Sequence, residues 1–107
     1  MTPSPVRLRG SALCDVTDAL DYYMDEGAEA AAYGLVDALE AAYATVAEHP
    51  AIGSRRHGEI LGIDGLRTWP VEGFPFLVFY VERPDVVEVW RVLHVRRDVP
   101  TAFDDRS

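Results

Sequence analysis

The sequence predicts an α+β domain: a short N-terminal strand, then a two-helix antiparallel hairpin packed on a small antiparallel sheet, in the order β-α-α-β-β-β. In the first half, apolar residues recur at spacings of three and four, which is typical of helices with one buried side. In the second half, short apolar or alternating segments are separated by turn residues, which indicates strands. A chain of 107 residues is long enough for one modest core, so we assign residues 1–107 to a single domain.

One strand and two helices account for the first half of the chain. Residues 6–9, Val-Arg-Leu-Arg, alternate apolar and basic side chains as a half-buried strand does. The apolar spacing over residues 13–24 predicts a first helix, with Ser11 as its N-cap and Gly27 as its end. The alanine-rich residues 28–49 predict a second helix. Because so few residues join the two helices, they should pack as an antiparallel hairpin.

Three strands joined by short turns are expected in the second half, within residues 65–73, 74–82 and 86–95. Short turns make these strands an antiparallel meander, and the helices should cover one face of it while the other stays partly open. Strict alternation along the last strand places two sets of side chains on opposite faces: Glu88, Trp90, Val92 and His94 on one, and Val87, Val89, Arg91 and Leu93 on the other.

The charge of the chain argues against direct binding to nucleic acids. The formal net charge is -8 at pH 7, and the sequence contains no lysine. Residues 1–49 hold nine acids against two arginines, whereas residues 50–107 hold nine acids against eight arginines. A field of this sign repels polyphosphates. The N-terminus lacks the apolar segment of a signal peptide, and no apolar run approaches the length of a membrane span. We therefore expect a cytoplasmic protein without membrane contact.

Few residues match a known chemical motif. The sequence has no glycine-rich phosphate loop and no nucleophile elbow. His49, His57 and His94 are scattered and lack the spacing of metal ligands, so we expect neither a metal nor a cofactor. Cys14 is the single cysteine, stands among apolar residues, and is expected in the core.

Two arginines stand within otherwise apolar strands, where a surface charge is not needed for solubility. If Arg67 and Arg91 share the open face of the sheet, their guanidinium groups form a site for phosphate or carboxylate. Alternatively, each pairs across strands with an acid such as Glu72 or Glu88. The sequence leaves both alternatives open.

Three motifs carry a resemblance to a known family. "HP-x-IG" follows the second predicted helix, "GLRTWPV" leads into "FYV", and "RVLH-x-x-RD" stands near the end. In this order, over about residues 7–103, the chain resembles the RelE/ParE family of bacterial type II toxins. The resemblance implies a helical hairpin on a small antiparallel sheet, the fold that periodicity predicts independently. It also implies a cognate antitoxin that wraps the toxin and carries the DNA-binding half of the complex.

The family resemblance implies one of two activities. RelE-type members cut mRNA in the ribosome with Lys, Arg, and a Tyr or His near the C-terminus, whereas ParE-type members poison DNA gyrase. This chain has no lysine and, after His94, neither tyrosine nor histidine. We therefore expect a ParE-like gyrase inhibitor, neutralised by a ParD-like antitoxin. Two alternatives stay open: a ribosome-dependent mRNA endonuclease using Arg67, Arg91 and His94, and a degenerate toxin that serves only as antitoxin partner and corepressor.

The resemblance and the charge pattern together suggest two contact surfaces. The last strand changes abruptly from apolar to charged residues, and we expect this end to bind the target through Arg91, His94, Arg96, Arg97 and Asp98. Asp98 should also begin a helical turn at Val99 that anchors Phe103. We expect the antitoxin to cover apolar residues of the helices and the last strand: Leu13, Val16, Leu20, Tyr23, Leu35 and Trp90.

Overall fold

The structure is a computed structural model, and it describes residues 4–104. Its order is strand, two long helices, a short helical region and three strands, so the α+β fold class predicted from the sequence is confirmed. The elements are β1 (Val6–Leu8), α1 (Gly10–Asp25), α2 (Glu29–Glu48), a 3-10 turn (Pro50–Ile52), α3 (Arg56–Leu61), β2 (Leu66–Pro70), β3 (Phe76–Glu82), β4 (Val87–His94) and α4 (Val99–Asp104).

The four strands form one sheet in the order β1-β4-β3-β2. Strands β2, β3 and β4 pair antiparallel, as their short connections predict. Strand β1 pairs with β4 in parallel, with Val6 opposite Val87 and Leu8 opposite Val89. The sheet is therefore mixed rather than wholly antiparallel. The antiparallel prediction holds for the meander, whereas β1, which comes before the two long helices, runs parallel to β4.

The helical hairpin packs on one face of the sheet and buries the larger core. Small residues Ala12 and Ala19 on α1 let that helix approach closely. Ser11 lies inside the first turn of α1, where its hydroxyl donates to the Trp90 carbonyl oxygen at 3.0 Å, so its assignment as the N-cap is wrong. The core on this face consists mainly of Leu35, Leu39, Ala42, Val46, Val71, Val78, Tyr80, Val87, Val89 and Val92.

The opposite face of the sheet, which we expected to be partly open, is covered in part by α3 and α4. Phe103 of α4 is 3% exposed and meets Phe79 edge-to-face, with ring centroids 5.3 Å apart. The predicted helical turn beginning at Val99 is confirmed, and it anchors Phe103 in this second core. The other buried members of that core are Leu66, Val81, Leu93 and Ala102.

A β-bulge at Trp90 divides the last strand. Tyr80 stands opposite Val89 and Phe79 stands opposite Arg91, so Trp90 is an extra residue with no partner in the ladder. The extra residue reverses the alternation beyond it. Val92 is consequently buried with Val89 under the hairpin, and the predicted common face of Glu88, Trp90, Val92 and His94 is wrong.

Candidate functional site

Arg91 is bound inside the protein rather than displayed at the surface. Its Nε donates to Asp15 Oδ2 at 2.7 Å, its Nη2 donates to Asp15 Oδ1 at 2.8 Å, and its Nη1 donates to the Ala102 carbonyl oxygen. Only 8% of the residue is exposed. Asp15 Oδ2 also accepts the Val92 main-chain N–H at 3.0 Å. The pair therefore joins α1, β4 and α4.

Asp15 is a partner of Arg91 that the sequence did not reveal. We expected Arg91 to meet either Arg67 or an acid of a neighbouring strand such as Glu72 or Glu88, and its acid instead comes from the first helix. The available signal was weak: Asp15 stands directly before Val16, at the border of the apolar stripe. Position along a helix does not specify which strand such a border residue reaches.

Arg67 also binds main-chain groups of the chain itself. Its Nη1 donates to the carbonyl oxygens of Ala51 at 3.2 Å and Gly53 at 3.0 Å. The Tyr80 hydroxyl donates to the Pro50 carbonyl oxygen at 2.7 Å and accepts the Gly53 N–H at 2.9 Å. Arg67 and Tyr80 together fix the connection that contains the "HP-x-IG" motif. The motif thus has a structural explanation in this chain.

Arg67 and Arg91 do not form a common site. In the sheet Arg67 stands opposite Tyr80, whereas Arg91 stands opposite Phe79. Tyr80 and Phe79 are consecutive residues of β3, and consecutive side chains of a strand point to opposite faces. Tyr80 lies in the core under the helical hairpin, and Phe79 lies in the core under α4. The shared anion site that the sequence allowed is therefore absent.

The end of β4 forms an exposed, basic turn. The His94 ring packs edge-to-face on Phe76 with ring centroids 5.5 Å apart, and its Nδ1 accepts the Arg96 N–H at 3.1 Å. The Arg97 N–H donates to the His94 carbonyl oxygen at 2.9 Å, which closes the turn. His94, Arg96 and Arg97 are all exposed. The turn therefore places two neighbouring guanidinium groups at the surface.

Asp98 is the last residue of this turn and organises the start of α4. Its carbonyl oxygen accepts the Ala102 N–H at 3.0 Å, and its Oδ2 accepts the Thr101 hydroxyl at 2.8 Å. Its carboxylate thus has an internal partner, although the residue is exposed. Of the five expected target contacts, the structure brings His94, Arg96, Arg97 and Asp98 together at the surface and keeps Arg91 inside.

A groove of about 630 Å³ lies beside the basic turn, between α1 and the ends of β3 and β4. Its helical wall is acidic and aromatic, and its strand wall is aromatic and basic. The residues that give it this character are Asp18, Tyr22 and Tyr23 on the helix and Phe76, His94 and Arg97 on the strand side. The basic turn is therefore continuous with a concave surface large enough for side chains of another protein.

The expected antitoxin contacts fall into three groups. Leu13 is 54% exposed, while Val16, Leu20 and Tyr23 are half-buried against the core of the hairpin. Leu35 is only 1% exposed. It fills the core, so we remove it from the candidate surface. Helical spacing alone does not distinguish a residue in the buried stripe, such as Leu35, from one on its exposed flank. The third group is Trp90, which is half-buried at the bulge, away from this core.

The hairpin exposes further large apolar side chains. Met24 on α1 is 48% exposed, and on α2 Tyr33 is 68% and Val36 is 37% exposed. Together with Leu13, these side chains are exposed apolar residues of the helices that a partner could cover. Cys14 is also exposed, so the expectation that it lies in the core is wrong. It stands on α1 just outside the stripe formed by Ala12 and its helical neighbours.

Glu88 is the centre of a charged cluster on the face opposite the hairpin. Its carboxylate oxygens lie 3.1 Å from Arg7 Nη2, 3.3 Å from Arg9 Nη2 and 3.5 Å from Arg83 Nη2, and it accepts the Trp90 Nε1–H at 2.9 Å. Burial favours a raised pKa, but the hydrogen bonds from Arg7 and Trp90 and the charges of Arg9 and Arg83 outweigh it and lower the pKa of Glu88 to about 2. The carboxylate is therefore charged at neutral pH.

Neither a metal centre nor a membrane span was found in residues 4–104. This part of the chain holds no group of three or more His, Cys, Asp or Glu side chains placed to bind a metal ion. No helix in it is both long and apolar enough to cross a membrane.

Comparison with known proteins identifies the class of the fold. The sequence-family model for the ParE toxin of type II toxin-antitoxin systems, parDE, matches residues 6–99. A solved structure of the chromosomal ParDE TA system from P. aeruginosa is similar with a TM-score of 0.70 and 18% sequence identity, covering 85% of this chain and 95% of that chain. At this identity the likeness establishes the fold alone. No curated protein sequence matches the chain.

The chain belongs to the ParE toxin family of type II toxin-antitoxin systems, because the family model covers most of its length. The resemblance seen in its sequence motifs is thereby confirmed. A toxin of this kind acts together with an antitoxin partner.

Proposed function

We propose that this toxin inhibits DNA gyrase in the cytoplasm and that a ParD-like antitoxin neutralises it. One observation carries the choice of target. The three residues that an mRNA endonuclease would need, Arg67, Arg91 and His94, do not converge: each arginine serves an internal contact on its own face of the sheet.

Cleavage of RNA by 2'-hydroxyl attack requires a base, an acid and cations around one phosphate. The Arg91 guanidinium already neutralises Asp15, and Arg67 is bonded to main-chain oxygens. His94 alone is exposed, and one of its ring nitrogens accepts the Arg96 N–H. Neither Arg67 nor Arg91 lies free beside the His94 imidazole to act on one phosphate with it, which supports binding rather than cleavage as the mode of action.

The target-binding surface in this proposal is the basic turn His94–Asp98 together with the groove beside it. Arg96 and Arg97 form no ion pair with any residue in the range 4–104. Adjacent exposed arginines repel each other and contribute little to stability, so the fold does not explain their presence. Arginine is among the residues enriched in protein interfaces. Arg91 takes part indirectly, by holding α4 and the strand end in place.

The antitoxin-binding surface in this proposal consists of exposed apolar side chains of the hairpin, Leu13 and Met24 on α1 and Tyr33 and Val36 on α2. Such side chains are suited to the apolar face of a partner helix. A Leu13→Glu substitution should weaken antitoxin binding measured by calorimetry. The matched control is Ala41→Glu, which adds the same charge at another exposed position of the hairpin. Equal weakening by both would show that charge alone, and not this surface, controls binding.

The decisive experiment compares two activities of the purified toxin. If the proposal is right, it inhibits supercoiling of plasmid DNA by gyrase and leaves ribosome-bound mRNA intact. Arg96→Ala combined with Arg97→Ala should lose most of the inhibition and keep the fold. The control is Arg55→Ala with Arg56→Ala, a second adjacent and exposed arginine pair. Truncation after the strand is unsuitable, because it would remove Phe103 from the core.

The other outcomes identify the alternatives. Cleavage of ribosome-bound mRNA with unaffected gyrase would establish the endonuclease and overturn the proposal. A toxin that neither inhibits gyrase nor arrests growth when expressed without its antitoxin would be a degenerate member that serves as antitoxin partner and corepressor. Full inhibition by the Arg96/Arg97 double variant would remove the basic turn from the target-binding surface.

A further inference from the structure

The cluster around Glu88 contains more positive charge than its one carboxylate needs. Arg7, Arg9 and Arg83 all point to Glu88, so three guanidinium groups against one carboxylate leave a net charge of +2. Arg7 and Arg9 are the two basic residues among residues 1–49, which otherwise carry nine acids. The most acidic half of the chain thus contributes its arginines to a single place.

Stability of the fold does not account for three arginines at this position. Their side chains are 65%, 41% and 46% exposed for Arg7, Arg9 and Arg83, whereas that of Glu88 is 11% exposed. Exposed ion pairs contribute little to stability, because solvent screens them and holding the side chains together costs entropy. The nearly buried Glu88 is already hydrogen-bonded by Trp90 and Arg7. The additional guanidinium groups therefore stabilise the protein little.

The contacts with Glu88 and Trp90 hold the arginine side chains in an ordered position in which they can bind a ligand. Glu88 holds one end of each guanidinium group, and Arg9 also lies over the Trp90 ring with its Cζ 3.8 Å from the ring centroid. A guanidinium group has five N–H donors in a fixed fork, so donors beyond those facing Glu88 stay available. Side chains that are already ordered lose less entropy when they bind. Tryptophan and arginine are also the residues most often found at the energetic centres of interfaces.

Strand β1 lies beside the cluster, and the spacing of its residues matches that of an extended ligand. Strand β1 is the outermost strand of the sheet. The Pro5 carbonyl oxygen and the Arg9 N–H bond β4, so the alternate residues Val6 and Leu8 direct their main-chain groups away from it. Arg7 and Arg9 lie two positions apart on one face, about 6.5 Å along the strand. Carboxylates at alternate positions of an adjacent extended chain would meet them in register.

We propose that the cluster of Arg7, Arg9, Arg83 and Trp90 is a docking site for an extended acidic segment of a partner protein, with carboxylates at alternate positions along β1. The inference goes beyond the proposed function, because it requires no contact with gyrase and does not involve the basic turn or the apolar hairpin surface. Trp90 alone is shared with the expected antitoxin contacts.

Two other occupants fit the surface less well. A second copy of this chain pairing through its own β1 would bring arginine against arginine, and like charges directly opposite are destabilising. A nucleic acid extends its charge well beyond three arginines, and the rest of this chain, at -8, repels it. Acidic residues elsewhere on the chain also repel an acidic segment, so they disfavour its binding outside the arginine cluster and make the site specific.

The test uses the full-length toxin and a synthetic peptide of eight alternating glutamate and valine residues. Binding is followed by NMR, through main-chain amide shifts of β1 and the indole N–H shift of Trp90. We expect shifts confined to β1, the β3–β4 turn and Trp90. A peptide with glutamine in place of glutamate should give none. Replacing Arg7 and Arg83 by glutamine should weaken binding about fivefold, because two ion pairs with the peptide are lost.

The controls distinguish this site from general charge effects. Arg55→Gln with Arg56→Gln removes the same charge from exposed positions elsewhere and should leave peptide binding unchanged. If both double variants weaken binding equally, or if the glutamate peptide shifts no residue of β1, the proposal is overturned and the arginines only protect an edge strand from aggregation. Tighter binding of a single-stranded oligonucleotide than of the peptide at the same residues would also overturn it.

Discussion

Asp15 and Arg91 are 76 residues apart in sequence, yet they form a bidentate ion pair with N–O distances of 2.7 and 2.8 Å. Because Asp15 accepts the Val92 N–H and the Ser11 hydroxyl donates to the Trp90 carbonyl oxygen, one turn of α1 bonds to the edge of β4 where β1 has ended. Two polar residues four positions apart on a helix thus continue the pairing of a strand. The Asp15–Arg91 pair connects α1, β4 and α4.

Replacing Asp15 by alanine should reduce the free energy of unfolding by about 3–5 kcal/mol, because it leaves the buried Arg91 charge without its partner. Urea denaturation followed by circular dichroism measures the change. Asp21→Ala on the exposed side of the same helix is the matched control and should change stability by less than about 0.5 kcal/mol. Similar losses for both variants would mean that the pair is no more important than a surface charge.

Replacing Glu88 by glutamine should make stability less dependent on pH in the acidic range. The pKa of Glu88 is lowered from 4.5 to about 2, so its charged form stabilises the folded protein above pH 4.5, and this contribution is lost as the pH falls toward 2. The wild type should therefore be more stable than the variant at pH 7, and the difference should shrink between pH 4.5 and 2. Denaturation at several pH values tests this; a constant difference would contradict it.

Two tyrosines with buried hydroxyl groups should respond oppositely to the loss of those groups. Tyr80→Phe leaves the Pro50 carbonyl oxygen and the Gly53 N–H unpaired, and should destabilise the protein by about 1–3 kcal/mol. The Tyr43 hydroxyl has no hydrogen-bond partner within residues 4–104, and burial raises its pKa to about 12. Tyr43→Phe should therefore stabilise the protein by about 1 kcal/mol. Thermal unfolding distinguishes the two, and a destabilised Tyr43→Phe variant would reveal a partner.

Replacing Phe103 by alanine should cost about 3–5 kcal/mol, because it opens a cavity against Phe79. Calorimetric unfolding measures this loss. Val95→Ala, at a position that is 54% exposed, is the control and should change stability by less than about 0.5 kcal/mol. A small loss for Phe103→Ala would show that α4 is held mainly by Arg91.

Periodicity predicted most of the fold, since the two helices, the meander and the turn that anchors Phe103 all appear where local patterns place them. It failed at Trp90, because a bulge leaves no trace in an alternating sequence and reverses every side chain beyond it. It also failed to find the partners of Arg91 and Glu88. Those partners come from distant parts of the chain, and local spacing contains no information about which elements meet.

The parallel pairing of β1 with β4 has a consequence for the order of folding. Val6 meets Val87 across nearly the whole chain, and the loop closed by this contact carries a large entropic cost. Contacts of this kind slow folding, so the meander and the hairpin are expected to form before β1 docks. Until then the edge of β4 has no neighbouring strand and Arg7 lies far from Glu88. A partner that recognises the arginine cluster would therefore distinguish the finished toxin from a nascent or partly folded one.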